Sequence, residues 1–168
     1  MKQPQEIVDE FAQSILWVEN VKTLDQAHFL QPIADEKWSC AQIVAHIMLW
    51  DEYVANEILP QMKQDADVRS KSIQEVNDIA TDYGHSGITA EELIKQTMEC
   101  RKKLIASLRR KPDPAFFETF TLDGEAIDEY SGQPHTLYGY LCSFIWHDGH
   151  HKQQVESFLS SEMGMQSF

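Results

Sequence analysis

His147 and His151, in the run Trp146-His147-Asp148-Gly149-His150-His151, stand four residues apart. On a helix this spacing puts both imidazoles on one face, within reach of a common metal ion. His46 lies in a separate apolar run, with Ile43 before it and Trp50 after it. An imidazole there needs either a hydrogen-bonded partner or a metal. Three imidazoles leave positions open on a divalent ion, which is the arrangement of a catalytic rather than a closed structural site. Such an ion lowers the pKa of a water or thiol and generates a nucleophile near neutral pH. Imidazole donors do not by themselves select the metal.

Each candidate also has an ordinary reading. A chain with seven histidines can hold an HxxxH pair by chance, both rings facing solvent late in a helix. Two features weigh against chance. Phe144 and Val155 extend the pair along an apolar stripe. Gly149 inside a helix costs about 0.8–1.0 kcal/mol relative to Ala, which a close approach of backbone or ligand would explain, as chance also would. For His46 the competing reading is a core histidine with a satisfied hydrogen bond. His150 points about 100° away from His151 and is expected to face solvent or a neighbouring helix. His28, His85 and His135 fall in loops or at helix ends and read as surface residues, with His135 able to approach the site rim. Trp50, Tyr53, Tyr140 and Phe144 are the candidates to line a pocket, against the alternative of core aromatics. Cys40 and Cys142 read as buried small hydrophobes rather than nucleophiles. Glu57 reads as a solvated residue before a general base. Asp51, Glu52 and Asp148 are the nearby carboxylates that could hold the second nitrogen of a ligand ring.

The positioning elements follow from apolar spacing. Ile7, Phe11, Ile15, Val18 and Val21 predict a first helix over Pro4 to Leu24. Ser39 is a plausible N-cap for a second helix that carries His46 and ends near Leu59, before Pro60. The polar stretch 61–86 holds at most a short helix, around Ser72 to Ala80. Thr89-Ala90-Glu91-Glu92 is a capping box that opens a third helix, ending near Arg109. Phe116 to Gln133 is irregular, with an extended piece at 116–122 and a turn at Asp123-Gly124. Pro134 opens a fourth helix that carries His147 and His151 and runs to about Ser161. No convincing sheet is predicted. The expected fold is all-α, a four-helix bundle with a long irregular crossing before the last helix.

The chain has 168 residues, which suits a single domain over 1–168. A formal net charge of −13 argues against nucleic acid and against an anionic membrane surface. Three widely spaced cysteines and no CxxC argue against a disulfide framework. With no signal-peptide core at the N-terminus, the expected location is the cytoplasm.

Two blocks carry a family resemblance. Trp38-Ser39-Cys40-Ala41-Gln42-Ile43-Val44-Ala45-His46, followed by Trp50-Asp51, and Trp146-His147-Asp148-Gly149-His150-His151-Lys152-Gln153-Gln154-Val155 resemble the DinB superfamily. The WHxxHH form is most similar to its YfiT-like metal-dependent hydrolases and bacillithiol transferases. The resemblance implies a four-helix bundle holding zinc, nickel or manganese on His46, His147 and His151. It also implies a homodimer, and neither DNA polymerase activity nor DNA binding. Characterised members include thiol transferases and isomerases that use thiol cofactors. The implied activity is thiol S-transfer or hydrolysis of a small electrophile, with a low-molecular-weight thiol as cosubstrate. The alternatives are a non-catalytic metal- or small-molecule-binding bundle used in stress response, and a helical dimerisation domain whose histidines bind nothing.

Overall fold

Pro4 occupies the first position of helix α1 (Pro4–Ser14), where its missing N–H is no loss, and Glu6 accepts from the Gln3 backbone N–H at 2.7 Å. Ile7, Val8 and Phe11 are its buried face. A computed structural model describes residues 2–165 of the chain.

The expected single helix to Leu24 divides in two. The Ser14 hydroxyl donates to the Phe11 carbonyl at 2.9 Å, a local bond that competes with the helical ladder. Beyond it Leu16–Thr23 is a 3-10 helix burying Trp17, Val18 and Val21. Ile15, Val18 and Val21 recur every three residues, the period of a 3-10 helix rather than of an α-helix. A further short helix, α2 (Gln26–Leu30), has no counterpart in the sequence reading; Asp25 caps it and Phe29 is its buried residue.

Helix α3 (Cys40–Tyr53) starts at a capping box in which the Ser39 hydroxyl accepts from Gln42 N–H and Gln42 returns a bond to Ser39 N–H. It is buried on nearly every side and is the central element. It passes into one π-helical turn, Val54–Ile58, just before Pro60. Helix α4 (Ile73–Asp82) is capped by Ser72 and Glu75, and helix α5 (Ala90–Leu108) by Thr89 and Glu92.

The crossing before the last helix contains more order than expected. Among the described residues, β1 (Asp67–Val68), β2 (Thr119–Leu122) and β3 (His135–Thr136) form a three-stranded sheet in that order. β1 lies parallel to β2 and β3 antiparallel to it, pairing Asp67 with Thr121 and Phe120 with His135. Asp123 and Gly124 turn the chain after β2, both with positive φ (54° and 90°). Helix α6 (Leu137–Met165) begins three residues after Pro134, because the Thr136 hydroxyl caps it, accepting from Gly139 N–H at 3.1 Å.

The bundle consists of α1 with its 3-10 continuation, α3, α5 and α6; α4 packs on the outside of α3. No helix among the described residues is long and apolar enough to cross a membrane.

Candidate functional site

His46 is one turn and a half into α3, and His147 and His151 are on the face of α6 that meets it. The three rings point their Nε2 atoms at one another. His46 Nε2 is 2.9 Å from His147 Nε2, and His151 Nε2 is 3.2 Å from it. One nitrogen from each residue lies within 4.8 Å of the other two. His46 is buried, and the α6 pair is half-buried. Desolvation, reinforced by the adjacent imidazoles, pushes His46 down to about 3 and His151 down to about 4. At neutral pH both rings are therefore uncharged.

The tautomers decide what the cluster can hold. Each Nε2···Nε2 contact needs one donor and one acceptor. His151 Nδ1 lies 2.8 Å from Gln154 Oε1, which calls for a proton on Nδ1 and a lone pair on Nε2. With the proton on Nδ1 of every ring, three lone pairs face a common point, and a shared cation satisfies all of them. The donor set therefore fits a divalent metal.

Beneath the histidines is a buried ionic cluster. Arg101 from α5 donates Nε–H to Asp51 Oδ2 at 2.8 Å and Nη1–H to Asp148 Oδ2 at 2.9 Å. The same Nη1 reaches the Phe11 carbonyl at 2.8 Å, and the guanidinium carbon lies 3.9 Å from the centroid of the Phe11 ring. Ser14 Oγ also lies 2.5 Å from Asp148 Oδ2, so its one hydroxyl proton is shared between that carboxylate and the Phe11 carbonyl. The second oxygen of Asp148 is 3.9 Å from His147 Nδ1. Burial pushes Asp51 up, to about 7, even with Arg101 beside it. Burial also works against the Asp148 charge, but His147, Arg101 and Ser14 together hold its carboxyl below the ordinary value. Asp148 is thus the one expected carboxylate that approaches a site histidine. Asp51 turns to Arg101 instead, and Glu52 is exposed.

Aromatic rings back the cluster. Trp50 lies 6.3 Å from His46 and Phe144 6.0 Å from His147, centroid to centroid. Trp50 touches Phe144 and Tyr53, and Phe144 stacks on Tyr140 at 5.0 Å. The four rings named from the sequence form one connected wall. Trp38, which the sequence reading placed only at the helix start, is closer still, 5.1 Å from His46. It borders an open cleft of about 220 Å³ lined by Ile33, Glu36, Lys37, Trp38, Ile43, His151 and Gln154. A larger groove of about 500 Å³ lies between α1 and α6, with Ser14, Trp17, Ile145 and Gly149 among its lining, but none of the three histidines.

Other candidates are elsewhere. His150 is exposed and stacks on Trp146. His28 pairs with Asp25, His85 is exposed, and His135 stacks on Phe120 in the sheet. Glu57 is exposed and pairs with Lys71 at 2.9 Å. All three cysteines are free thiols. Cys40 is buried as expected, which pushes its thiol up to about 12. Cys142 is exposed on α6, which corrects its reading as a buried hydrophobe: its position faces away from the bundle.

No curated protein matches the chain. Among solved structures, YfiT from Bacillus subtilis, described as a probable metal-dependent hydrolase with an unusual four-helix bundle topology, shares the fold with a TM-score of 0.73. The match covers 96% of this chain and 87% of that one, at 15% identity. The model of the DinB superfamily matches residues 9–155, a span that takes in His46, His147 and His151, and the chain belongs to that superfamily.

Proposed function

We propose that the protein is a divalent-metal enzyme that activates a water or a low-molecular-weight thiol against a small electrophile, as a hydrolase or thiol S-transferase. The observation that carries this reading is the convergence of three imidazole nitrogens from α3 and α6 within 4.8 Å. His46, His147 and His151 would hold the ion: zinc, nickel or manganese. When bound, the ion would bring the pKa of a water or thiol toward neutrality.

The chain's own residues supply the rest. Burial keeps His46 and His151 unprotonated well below neutral pH, so their lone pairs are available. Gln154 fixes the ring of His151 by accepting from Nδ1, and the Asp148 carboxylate stands behind His147. Trp50, Tyr53, Tyr140 and Phe144 form the apolar wall that keeps bulk water from the site. The cleft bounded by Ile33 and Trp38 admits the guest beside His151. No cysteine is needed as a nucleophile. The description of YfiT as a probable metal-dependent hydrolase points the same way. The superfamily resemblance further supports a homodimer, which sedimentation of the purified chain would test.

The test begins with metal analysis of protein purified without a histidine tag. Monochlorobimane with a panel of thiols, and a panel of esters and amides, would then be assayed with and without chelator. The expected result is bound divalent metal and chelator-sensitive turnover. His147→Ala should lower metal affinity by more than about 100-fold, since even outer partners of a ligand are worth about 10–100-fold. Retention of metal by that variant would sink the site. Metal without turnover in either panel would leave a binding module in place of an enzyme.

A further inference from the structure

We propose that Asn77, on α4, is the positioning residue of His46: its side-chain oxygen accepts the Nδ1 proton and so aims Nε2 at the ion. The inference rests on the metal site proposed above and assigns a role to the polar segment between α3 and α5.

Two buried atoms carry it. His46 Nδ1 and Asn77 Oδ1 are each cut off from solvent and each without a hydrogen-bond partner in the present geometry. Unpaired buried polar atoms are rare, and these two are complementary, one a donor and one an acceptor. They come from helices packed side by side, α3 and α4. The Asn77 side chain also stands close enough to His46 to favour its protonated ring. A histidine proton on Nδ1 leaves the Nε2 lone pair facing His147 and His151.

His151 shows the pattern outright, with Gln154 behind it at 2.8 Å. His147 Nδ1, also without a hydrogen bond, has the Asp148 carboxylate 3.9 Å away. Asn77 gives His46 the corresponding acceptor. Metal-ligating histidines characteristically donate their second N–H in this way. An amide oxygen does so without adding a further negative charge to a site that already has Asp51 and Asp148 beneath it. The neighbours of Asn77 on α4 explain how it is held. Val76 and Ala80 are buried against the bundle, and the half-buried Asn77 sits at the edge of that face.

The experiment compares the full-length wild type with Asn77→Leu and Asn77→Asp. Zinc affinity is read by competition with a chromophoric chelator. The protonated nitrogen of His46 is read by long-range proton–nitrogen correlation spectra of the metal-free protein. Asn77→Leu should weaken zinc binding by about 10–100-fold and abolish the Nδ1–H form of His46, while Asn77→Asp keeps both. A wild type that binds no zinc but shows Nδ1–H on His46, lost in Asn77→Leu, would overturn the proposed function and leave the Asn77 contact standing. Asn77→Leu with wild-type zinc affinity and an unchanged His46 spectrum would overturn the positioning role. Equal losses in the Leu and Asp variants, accompanied by a lowered melting temperature in both, would overturn it as well, since a helix-packing role gives that pattern.

Discussion

Arg101 is one guanidinium shared by two carboxylates. It pairs with Asp51 and Asp148, both almost fully buried, so the cluster carries one excess formal negative charge below the histidines. Removing one member of a buried ion pair costs about 3–5 kcal/mol because the remaining charge is left uncompensated. Arg101→Leu should therefore destabilise the chain by at least about that much, measured by urea unfolding of the metal-free protein. A loss below about 1 kcal/mol would mean that the pairs are solvated like surface bridges. None of this was visible in the sequence. Arg101 precedes Lys102 and Lys103 and so has no contrast with its neighbours. Its partners are 50 and 47 positions away, so only the packing of α3, α5 and α6 reveals its role. The histidines were legible for the opposite reason: a spacing of four is a local property of one helix, and His46 stood out against its apolar neighbours. Asn77 and Gln154 carried no such contrast in a polar context.

At the scale of elements, the locally encoded features were legible. Ser39 and Thr89 cap α3 and α5 through residues three positions on. Of the strands, β2 was legible within the extended piece at 116–122; the sheet was not, because β1 has two residues and pairs with β2 across 54 positions, leaving no periodicity to read. Gly149 is a different case. Its place inside α6 suggested a close backbone or ligand approach, or chance; no backbone of this chain comes near, since a Cβ built there meets nothing within 4 Å. The helix bears the conformational cost of glycine with no packing return. Gly149→Ala should then stabilise the protein by about 0.4–1 kcal/mol, raising the melting temperature by a few degrees in calorimetry. A drop in melting temperature would show that something outside the single chain, such as a second copy, approaches this face of α6.

At the scale of the whole molecule, the site couples two helices far apart in sequence, so an ion bound to His46, His147 and His151 ties folding to metal. The unfolded chain does not hold the three rings together. Metal in 100-fold excess over its dissociation constant should add about 2.7 kcal/mol of stability. The pH dependence of the metal-free protein follows from the same groups. His46 and His151 titrate near 3 and 4 when folded, below the ordinary 6.5. Their contribution is complete above pH 6.5 and is lost as the pH falls toward those values, because the unfolded chain takes up the two protons first. Asp51 works in the opposite direction: raised to about 7, it takes up a proton on acidification while still folded, whereas the unfolded group waits until 3.8. Between about pH 6.5 and 4, two protons favour the unfolded chain and one favours the folded, so stability must fall by the difference. Asp51→Asn removes the folded-state proton and should steepen the decline, whatever it does to stability at neutral pH. Thermal unfolding across that range, with chelator and with zinc, reads all three effects. A profile that is flat in both proteins would mean that the imidazoles take up protons alike in the folded and unfolded chains, and so are solvated rather than buried together.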